Sequence, residues 1–360
     1  MPIAGIRFGA AARRCRRIGS NTRRIPHFRP NEDRMGPTRR ELLQTTLAAI
    51  VIAGLPTVSA QAAPGAAGAR HAWMAGLPDG ISLLRMTIPG THDSCCISPR
   101  NGTAWAHTQN WSLTDQFAHG IRFLDIRCNG LQDHMDDSFG IYHGPAYQGK
   151  TFDGVLDDCR DFLTCNPSEV VIMRVKQESG TKNEVGADFE RIFNGYLDIK
   201  GYRPLFWIGD HLPTLGAARG RIVLITQFAN SLRALRWPGG DNGNVSNETF
   251  YVQDRYQSDG LVSGSSALSS TGSSGGDKFD YIRACFDRAA ADPVGRLMYI
   301  NFTSYAGGTW PRDTAAAILP RVADYLTENS SRPARYGIVP MDFPDMFPNV
   351  VDLLLERNFS

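Results

Sequence analysis

A series of short apolar runs, rich in β-branched and aromatic residues, most constrains what this sequence can fold into. Segments with helical periodicity lie between most of these runs, and that alternation is typical of a parallel sheet buried on both faces. Eight such units in roughly 280 residues predict the α/β class, as a single irregular (β/α)8 or TIM barrel. The eight predicted strands are residues 82–88, 121–127, 139–143, 169–176, 221–228, 249–256, 296–303 and 336–343.

The segments between the runs carry the start and stop signals of helices, such as Ser112 before a helical pattern and Gly120 after it. Pro89-Gly90 are expected to break the first strand, just before a histidine and an aspartate. Only a short polar stretch separates the second and third runs, too little for a crossover helix, so the barrel is expected to be irregular there. The predicted helices fall within residues 112–120, 151–169, 277–293 and 313–330, and the Gly/Ser/Asn-rich stretches 237–248 and 258–278 are predicted loops.

Residues 1–62 are interpreted as an N-terminal extension with a Tat-type signal peptide. Paired Arg39-Arg40 precede a short apolar run, Leu47 to Leu55, and Ala60-Gln61-Ala62 matches an A-x-A cleavage pattern. The apolar run is too short to span a bilayer comfortably. We therefore expect residues 63–360 to form a catalytic barrel that is secreted to the extracellular space and has no transmembrane helix.

The formal net charge of +2 gives no reason to expect nucleic acid as a partner.

Six cysteines beyond the leader predict disulfides in an oxidising compartment, although their pairing is not readable from the sequence. The spacings typical of zinc ligands do not occur, which argues against a metal site. These cysteines are Cys95, Cys96, Cys128, Cys159, Cys165 and Cys285.

Polar residues stand at the end of nearly every predicted strand, where a TIM barrel concentrates its function. Such side chains are costly to bury unpaired, so they must pair with one another or face a polar ligand. Their joint occurrence is difficult to explain as a set of separate structural pairs. They are His92, Asp93, Asp125, Arg127, His143, Lys176, Glu178, Gln227, Asp254, Tyr256, Asn301 and Asp342.

The residue types in this set indicate a reaction class. Two histidines can serve as general base and general acid on opposite sides of a reacting centre. An arginine between them suits a phosphate, since its planar fork donates paired hydrogen bonds and its charge meets a negative transition state. A lysine and carboxylates suit the hydroxyls of a sugar-like ring. The set describes phosphodiester cleavage without a metal.

The segments "MTIPGTHDS", "FLDIR", "YHGPAY", "NPSEVVIMRVK", "VQDRY", "YINFTS" and "GIVPMDF" occur in that order. Through residues 78–355 the chain resembles the bacterial phosphatidylinositol-specific phospholipase C family. The resemblance implies a distorted (β/α)8 barrel in which the inositol 2-hydroxyl attacks the phosphate, giving diacylglycerol and inositol 1,2-cyclic phosphate. It also implies transient binding of a monomer to membranes that contain phosphatidylinositol or its glycosylated anchor form, with no cofactor.

The resemblance assigns the central roles to five residues. His92 is expected to be the general base with Asp342 as its partner, and His143 the general acid assisted by Asp93. Arg127 is expected to hold the phosphate oxygens. It stands where metal-dependent relatives carry a carboxylate for calcium, and so no metal is expected.

The resemblance also assigns the substrate-binding residues. Lys176 and Asp254 would bind inositol hydroxyls and Tyr256 would stack under the ring, while Asp125 and Glu178 would orient their neighbours. The sequence departs from the family at Gln227, where the family carries an inositol-binding arginine. Because glutamine has no charge, weaker or altered head-group binding is expected.

Two tryptophans, Trp105 and Trp310, match positions where the family places membrane-inserting aromatics. An amphipathic indole ring suits a bilayer interface. The alternative interpretation is that each packs against the barrel.

Two other functions compete with this interpretation. A metal-dependent barrel like the glycerophosphodiester phosphodiesterases or sphingomyelinase D also uses two histidines, but Arg127 counts against it. A catalytically weak lipid- or glycan-binding module is the second, and the presence of both histidines and Asp342 gives no reason to prefer it.

Overall fold

The computed structural model describes residues 69–240, 242–257, 277–292, 294–306 and 310–360. The extension and signal peptide expected at residues 1–62, and most of the glycine- and serine-rich stretch 258–278, lie outside these residues. No helix in the described part of the chain combines the length and the apolar composition needed to cross a bilayer.

A curled twelve-stranded sheet, with helices packed against it, confirms the predicted α/β barrel. Its order is β6-β7-β5-β2-β1-β12-β11-β10-β9, and every neighbouring pair from β6 to β10 is parallel. Within the described residues no ladder joins the two ends of this order, so the barrel is open at that point. The strands are β1 (Thr87–Thr91), β2 (Phe123–Leu131), β3 (His134–His143), β4 (Ala146–Thr151), β5 (Val171–Gln177), β6 (Phe206–Trp207), β7 (Ile222–Gln227), β8 (Leu235–Arg236), β9 (Gly243–Ser246), β10 (Phe250–Asp254), β11 (Met298–Asn301) and β12 (Gly337–Met341).

The helices follow the punctuation of the sequence. The Ser112 hydroxyl accepts a hydrogen bond from the Asp115 amide at the start of the first helix. Gly120, just beyond the end of that helix, has a left-handed backbone with φ of 98°. All four predicted helices are confirmed. The helices are α1 (Leu113–Ala118), α2 (Phe152–Cys165), α3 (Phe189–Asp198), α4 (Leu215–Ala218), α5 (Lys278–Ala290), α6 (Pro311–Glu328) and α7 (Pro348–Glu356).

The first strand corrects the prediction at both ends. Leu83–Arg85 form a short 3-10 helix, and β1 begins at Thr87 and continues through Pro89-Gly90. The Pro89 carbonyl accepts from the Arg122 amide, so this residue bonds on the β2 side and its missing N–H removes no bond to β12. A Cβ at Gly90 would lie 2.8 Å from the Phe123 Cβ, so glycine permits β2 to approach. Pro89-Gly90 therefore lie within β1 and do not end it.

Residues 139–143 are not a parallel barrel strand, which corrects the third predicted strand. They belong to β3, which pairs antiparallel with both β2 and β4. The connection from β2 is a tight turn in which Asp133 has a positive φ of 67°. Ile141 pairs with Cys128, and so His143, two residues further, lies beside the stretch of β2 that carries Arg127.

Five of the six cysteines beyond the leader are buried in the core and are not cross-linked to one another. Among the described residues, five are buried free thiols: Cys95, Cys96, Cys128, Cys159 and Cys285. Burial raises the pKa of Cys95 and of Cys285 to about 12. The predicted disulfides are therefore absent among these five residues.

Candidate active site

A cavity of about 320 Å³ opens at the carboxyl ends of the parallel strands. Most of the polar residues expected at the strand ends line it, and Asp93 and Asp125 lie directly behind them. This is the edge where parallel strands bring their last side chains together. The predicted site residues that line the cavity are His92, Arg127, His143, Lys176, Glu178, Asp254, Tyr256 and Asp342.

His92 is held between two carboxylates. Its Nδ1 lies 2.9 Å from Oδ1 of Asp342, and its Nε2 lies 3.2 Å from Oδ2 of Asp93. The first contact follows from the strand register, because Thr91 pairs with Met341 and the next residue of each strand is therefore adjacent. The Gln109 side chain donates to the backbone carbonyls of His92 and Met341, at 2.7 and 2.9 Å. This clamp holds the two strand ends together.

The electrostatics of His92 follow from these neighbours. Burial by itself lowers the pKa of the imidazole, but the negative charges of Asp342 and Asp93 outweigh it and raise that pKa above its ordinary value. Burial also raises the pKa of the Asp342 carboxyl, although the facing imidazole acts in the opposite direction. The pair is thus arranged to hold a proton between β1 and β12.

The backbone turns sharply directly after both residues of this pair. Asp93 and Phe343 have left-handed backbones with φ of 43° and 45°. This conformation is uncommon for aspartate and rare for a bulky residue such as phenylalanine. The Phe343 amide donates to the Thr108 carbonyl at 2.9 Å and its ring is fully buried. Packing therefore holds a turn that local preference disfavours, next to the polar groups of the cavity.

Asp93 lies at the centre of the charged groups. Its Oδ1 is 3.0 Å from Nε of Arg127, and its Oδ2 is 3.7 Å from Nε2 of His143 as well as close to His92. Among the described residues these oxygens make ion-pair contacts without a well-aligned hydrogen bond. One buried carboxylate therefore connects both histidines and the arginine.

Asp125 holds the guanidinium of Arg127 in place. Its Oδ2 accepts from Nε and Nη2 of Arg127 at 3.1 and 3.0 Å, and its Oδ1 accepts from Nη1 of Arg174 at 3.0 Å. Burial raises the pKa of Asp125, but the two guanidinium groups overcome this and hold that pKa well below its usual range. Burial similarly opposes the charge of Arg127, and Asp125 and Asp93 raise the pKa of its guanidinium well above the ordinary value. Arg127 is a permanent, fixed cation.

The opposite wall carries His143 and the charged end of β5. The Glu178 carboxylate accepts from the Gly144 amide at 2.9 Å, and its other oxygen lies 3.4 Å from Nζ of Lys176. Glu178 therefore positions the turn that follows His143 as well as the lysine. Asp254, the last residue of β10, and Tyr256 complete this part of the wall.

Gln227, predicted to bind substrate, contacts a neighbouring arginine. It is not among the described residues that line the cavity. Its side-chain oxygen accepts a hydrogen bond from Nε of Arg174 at 2.8 Å. Arg174 lines the cavity and was missed by the sequence reasoning. The signal was present, because Arg174 and Lys176 are two residues apart on β5 and so share one face of the strand. Trp237, from a predicted loop, also lines the cavity and could not be found in this way.

One group of side chains has the geometry for a metal ion. Ligand atoms of His92, Asp93 and Asp125 all lie within 4.8 Å of one another. The Arg127 guanidinium contacts both of these carboxylates, at 3.0 and 3.1 Å. The guanidinium supplies the positive charge that a metal would bring. The two carboxylates therefore fit an arginine better than a divalent cation.

Trp105 and Trp310 lie together beside the cavity. Their ring centroids are 4.7 Å apart, and 42% and 43% of the two residues is exposed. Pro311, the neighbour of Trp310, lines the cavity. Residues distant in sequence thus form one exposed aromatic pair next to the opening.

Comparison with known proteins places this geometry in context. The family model described as phosphatidylinositol-specific phospholipase C, X domain, matches residues 86–228. The chain is 30% identical over 288 residues to the 1-phosphatidylinositol phosphodiesterase of Listeria monocytogenes, covering 76% of this chain and 81% of that protein. It is 28% identical over 307 residues to the enzyme of the same name from Staphylococcus aureus strain Newman, covering 79% and 92%.

Solved structures agree with the sequence relatives. A Staphylococcus aureus phosphatidylinositol-specific phospholipase C, solved in a study of its membrane binding, superposes with a TM-score of 0.69 at 25% identity, covering 80% of this chain and 97% of that one. The Listeria monocytogenes phosphatidylinositol-specific phospholipase C superposes with a TM-score of 0.64 at 26% identity, covering 81% and 99%.

Proposed function

The chain belongs to the phosphatidylinositol-specific phospholipase C family, and from this premise we propose that it cleaves phosphatidylinositol to diacylglycerol and inositol 1,2-cyclic phosphate without a metal. The observation that carries the proposal is the shared carboxylate of Asp93. It lies 3.2 Å from His92, 3.7 Å from His143 and 3.0 Å from Arg127. A base, an acid and a fixed cation thus converge on one cavity.

His92 acts as the general base. Its Nδ1–H donates to Asp342, which puts the lone pair of the neutral ring on Nε2, the atom that takes the proton of the inositol 2-hydroxyl. The hydroxyl oxygen then forms a bond to phosphorus. Because Asp342 and Asp93 raise the pKa of this imidazole, more of it carries a proton at a given pH, and only the neutral fraction acts as the base.

His143 acts as the general acid. As the new bond to phosphorus forms, the bond from phosphorus to the diacylglycerol oxygen breaks, and that oxygen takes a proton from the imidazolium. Asp93 stabilises the imidazolium from its second oxygen. Arg127 donates to the non-bridging phosphate oxygens, where negative charge accumulates in the transition state.

The proposal is tested by incubating the protein with phosphatidylinositol vesicles in the presence of a chelator and following phosphorus NMR. A cyclic phosphodiester signal is expected. Turnover that requires an added divalent cation would instead favour the metal-dependent phosphodiesterases. Vesicle binding without turnover would favour a lipid-binding module.

Replacing Asp342 with asparagine is expected to move the acid limb of the kcat/KM profile to lower pH. The neutral imidazole is the active form of the base, so activity falls as the pH drops below the pKa of His92. Asp342 is the strongest of the groups that raise this pKa, and burial, which lowers it, remains in the variant. The profile is measured with a soluble inositol phosphodiester. An acid limb that stays in place, or moves to higher pH, would contradict the assignment of His92 as the base.

We propose that the protein reaches its substrate as a monomer that binds transiently to membranes through Trp105 and Trp310. The exposure of this pair and its place beside the cavity support the proposal. Indole rings are favoured at the interface between lipid and water.

Trp105→Ala and Trp310→Ala are each expected to weaken binding to phosphatidylcholine vesicles severalfold in a sedimentation assay. Because the two rings contact each other, the double variant is expected to lose less than the sum of the two single losses. Cleavage of a soluble substrate is expected to be unchanged. Ile199→Ala, which removes another exposed apolar residue after α3, is the matched control. Equal vesicle binding by all variants would rule out the tryptophans as the membrane contact.

We also propose that residues 1–62 direct export and that residues 63–360 are the secreted catalytic domain. The twin arginine at Arg39-Arg40, the short apolar run after it and the Ala60-Gln61-Ala62 pattern support this. N-terminal sequencing of the protein recovered from the culture medium is expected to begin near Ala63. Retention of the whole chain inside the cell would contradict the proposal.

A further inference from the structure

We infer that Arg174 is a specificity-determining residue that binds ring hydroxyls of the substrate head group. The inference rests on the proposed function, because it places the head group in the cavity described above. Arg174 lines this cavity. Gln227, on the neighbouring strand, is not one of the described residues that line it. The cation is therefore present at the cavity wall although the sequence carries glutamine at the expected position.

The guanidinium is held rigidly. Its Nη1 donates to Oδ1 of Asp125 at 3.0 Å, its Nε donates to Oε1 of Gln227 at 2.8 Å, and its Nη2 donates to the same oxygen. The Cζ atom of Arg174 lies 4.0 Å from the centroid of the Trp237 ring, so one face of the guanidinium packs on the indole. Only 3% of the residue is exposed. Such a group binds a ligand without losing further side-chain entropy.

The hydrogen-bond inventory leaves donors for a ligand. Arginine has five N–H groups and no acceptor. The three bonds formed with the described residues use the Nε hydrogen and one hydrogen on each terminal nitrogen. One hydrogen on Nη1 and one on Nη2 remain. Two donors in one plane fit two adjacent hydroxyl oxygens of a ring.

The neighbours of Arg174 complete a site for a polyhydroxylated ring. Lys176, on the same face of β5, adds a further donor and has 22% of its side chain exposed. Asp254, the last residue of β10, adds a carboxylate acceptor that lines the same cavity. Ring hydroxyls both donate and accept, and so they need both kinds of partner.

Gln227 has a positioning role in this arrangement. Its oxygen accepts from Nε and Nη2 of Arg174 and so fixes the plane of the guanidinium. The weaker head-group binding expected from the missing charge at Gln227 does not follow, because Arg174 supplies a charge beside it.

The test measures binding of myo-inositol and of inorganic phosphate separately, by calorimetry on the full-length protein. Arg174→Met keeps the length of the side chain and removes its donors. It is expected to raise the dissociation constant of myo-inositol at least tenfold and the KM for phosphatidylinositol in parallel. The phosphate constant is expected to change less than threefold, because Arg127 remains. Arg191→Met, at an exposed arginine paired with Asp188, is the matched control and is expected to change neither constant.

Two results would overturn the inference. Unchanged myo-inositol binding would show that Arg174 does not contact the ring. Equal weakening of phosphate and myo-inositol binding would show that it acts only through Asp125 and Arg127. If the methionine variant does not fold, Arg174→Lys keeps the charge without the planar fork, and an intermediate myo-inositol constant supports the inference while a wild-type constant overturns it. Turnover by the wild-type protein, followed in the same preparation, reports on the proposed function independently.

Discussion

Replacing His92 with asparagine is expected to reduce kcat for phosphatidylinositol cleavage by about 100- to 10,000-fold, the usual contribution of a positioned general base. This is about 2.7 to 5.4 kcal/mol of transition-state stabilisation. Asparagine has an amide that can still donate to Asp342, so the buried carboxylate keeps a partner. What is removed is the nitrogen that accepts the proton of the attacking hydroxyl.

The rate is measured by phosphorus NMR or by release of labelled head group at the pH optimum of the wild type. His211→Asn is the matched control, because the side chain of His211 is 76% exposed and contacts Asp210 and the ring of Trp207, away from the cavity residues. Thermal unfolding of both variants establishes that the fold is intact. A folded His92 variant with near-wild-type activity would exclude His92 as the base.

Replacing His143 with asparagine is expected to lower kcat for the lipid by a similar factor, about 100- to 10,000-fold, because the diacylglycerol oxygen leaves poorly without a proton. The loss is expected to depend on the leaving group. An inositol phosphate ester of nitrophenol leaves as a stable anion and needs no acid. The variant is therefore expected to recover most of its activity on that ester.

The comparison of the two esters separates the histidines. The His92 variant is expected to lose activity on both, since the 2-hydroxyl must lose its proton in either reaction. Equal loss by the His143 variant on the two esters would contradict its role as the acid. The contact from His143 to Asp93, at 3.7 Å, is the structural basis of the assignment.

Local features were predicted well because their causes are local. The α1 helix starts after Ser112 since a hydroxyl there satisfies an amide of the first turn, and that requirement is visible in a few residues. Pro89-Gly90 were misread for the opposite reason. Whether such a pair ends a strand depends on the strand beside it, and here Phe123 of β2 packs where a side chain at position 90 would be.

The cysteines show the same division. Their number is evident from the sequence, but a disulfide requires two sulfur atoms at a short distance and a fixed dihedral angle. That distance depends on how separate elements pack. Within the described residues the thiols of Cys95, Cys96, Cys128, Cys159 and Cys285 are buried and free.

By itself the sequence determined the barrel fold and most of the polar residues that lie at the carboxyl ends of its strands. Alternating strands and helices close in few ways, and the carboxyl ends of parallel strands meet at one edge whatever their exact lengths. His92, Arg127 and Asp342 could therefore be placed at one edge without knowing a single distance, whereas His143 reaches it from the antiparallel strand β3.

Only the tertiary structure decided which side chains face the substrate and which support them. Arg174 and Gln227 lie on neighbouring strands, and the sequence placed Gln227 in the site. In the packed molecule Trp237 and Asp125 hold Arg174 at the cavity wall, and Gln227 accepts its hydrogen bonds. That choice depends on contacts between residues far apart in the chain, which no local pattern contains.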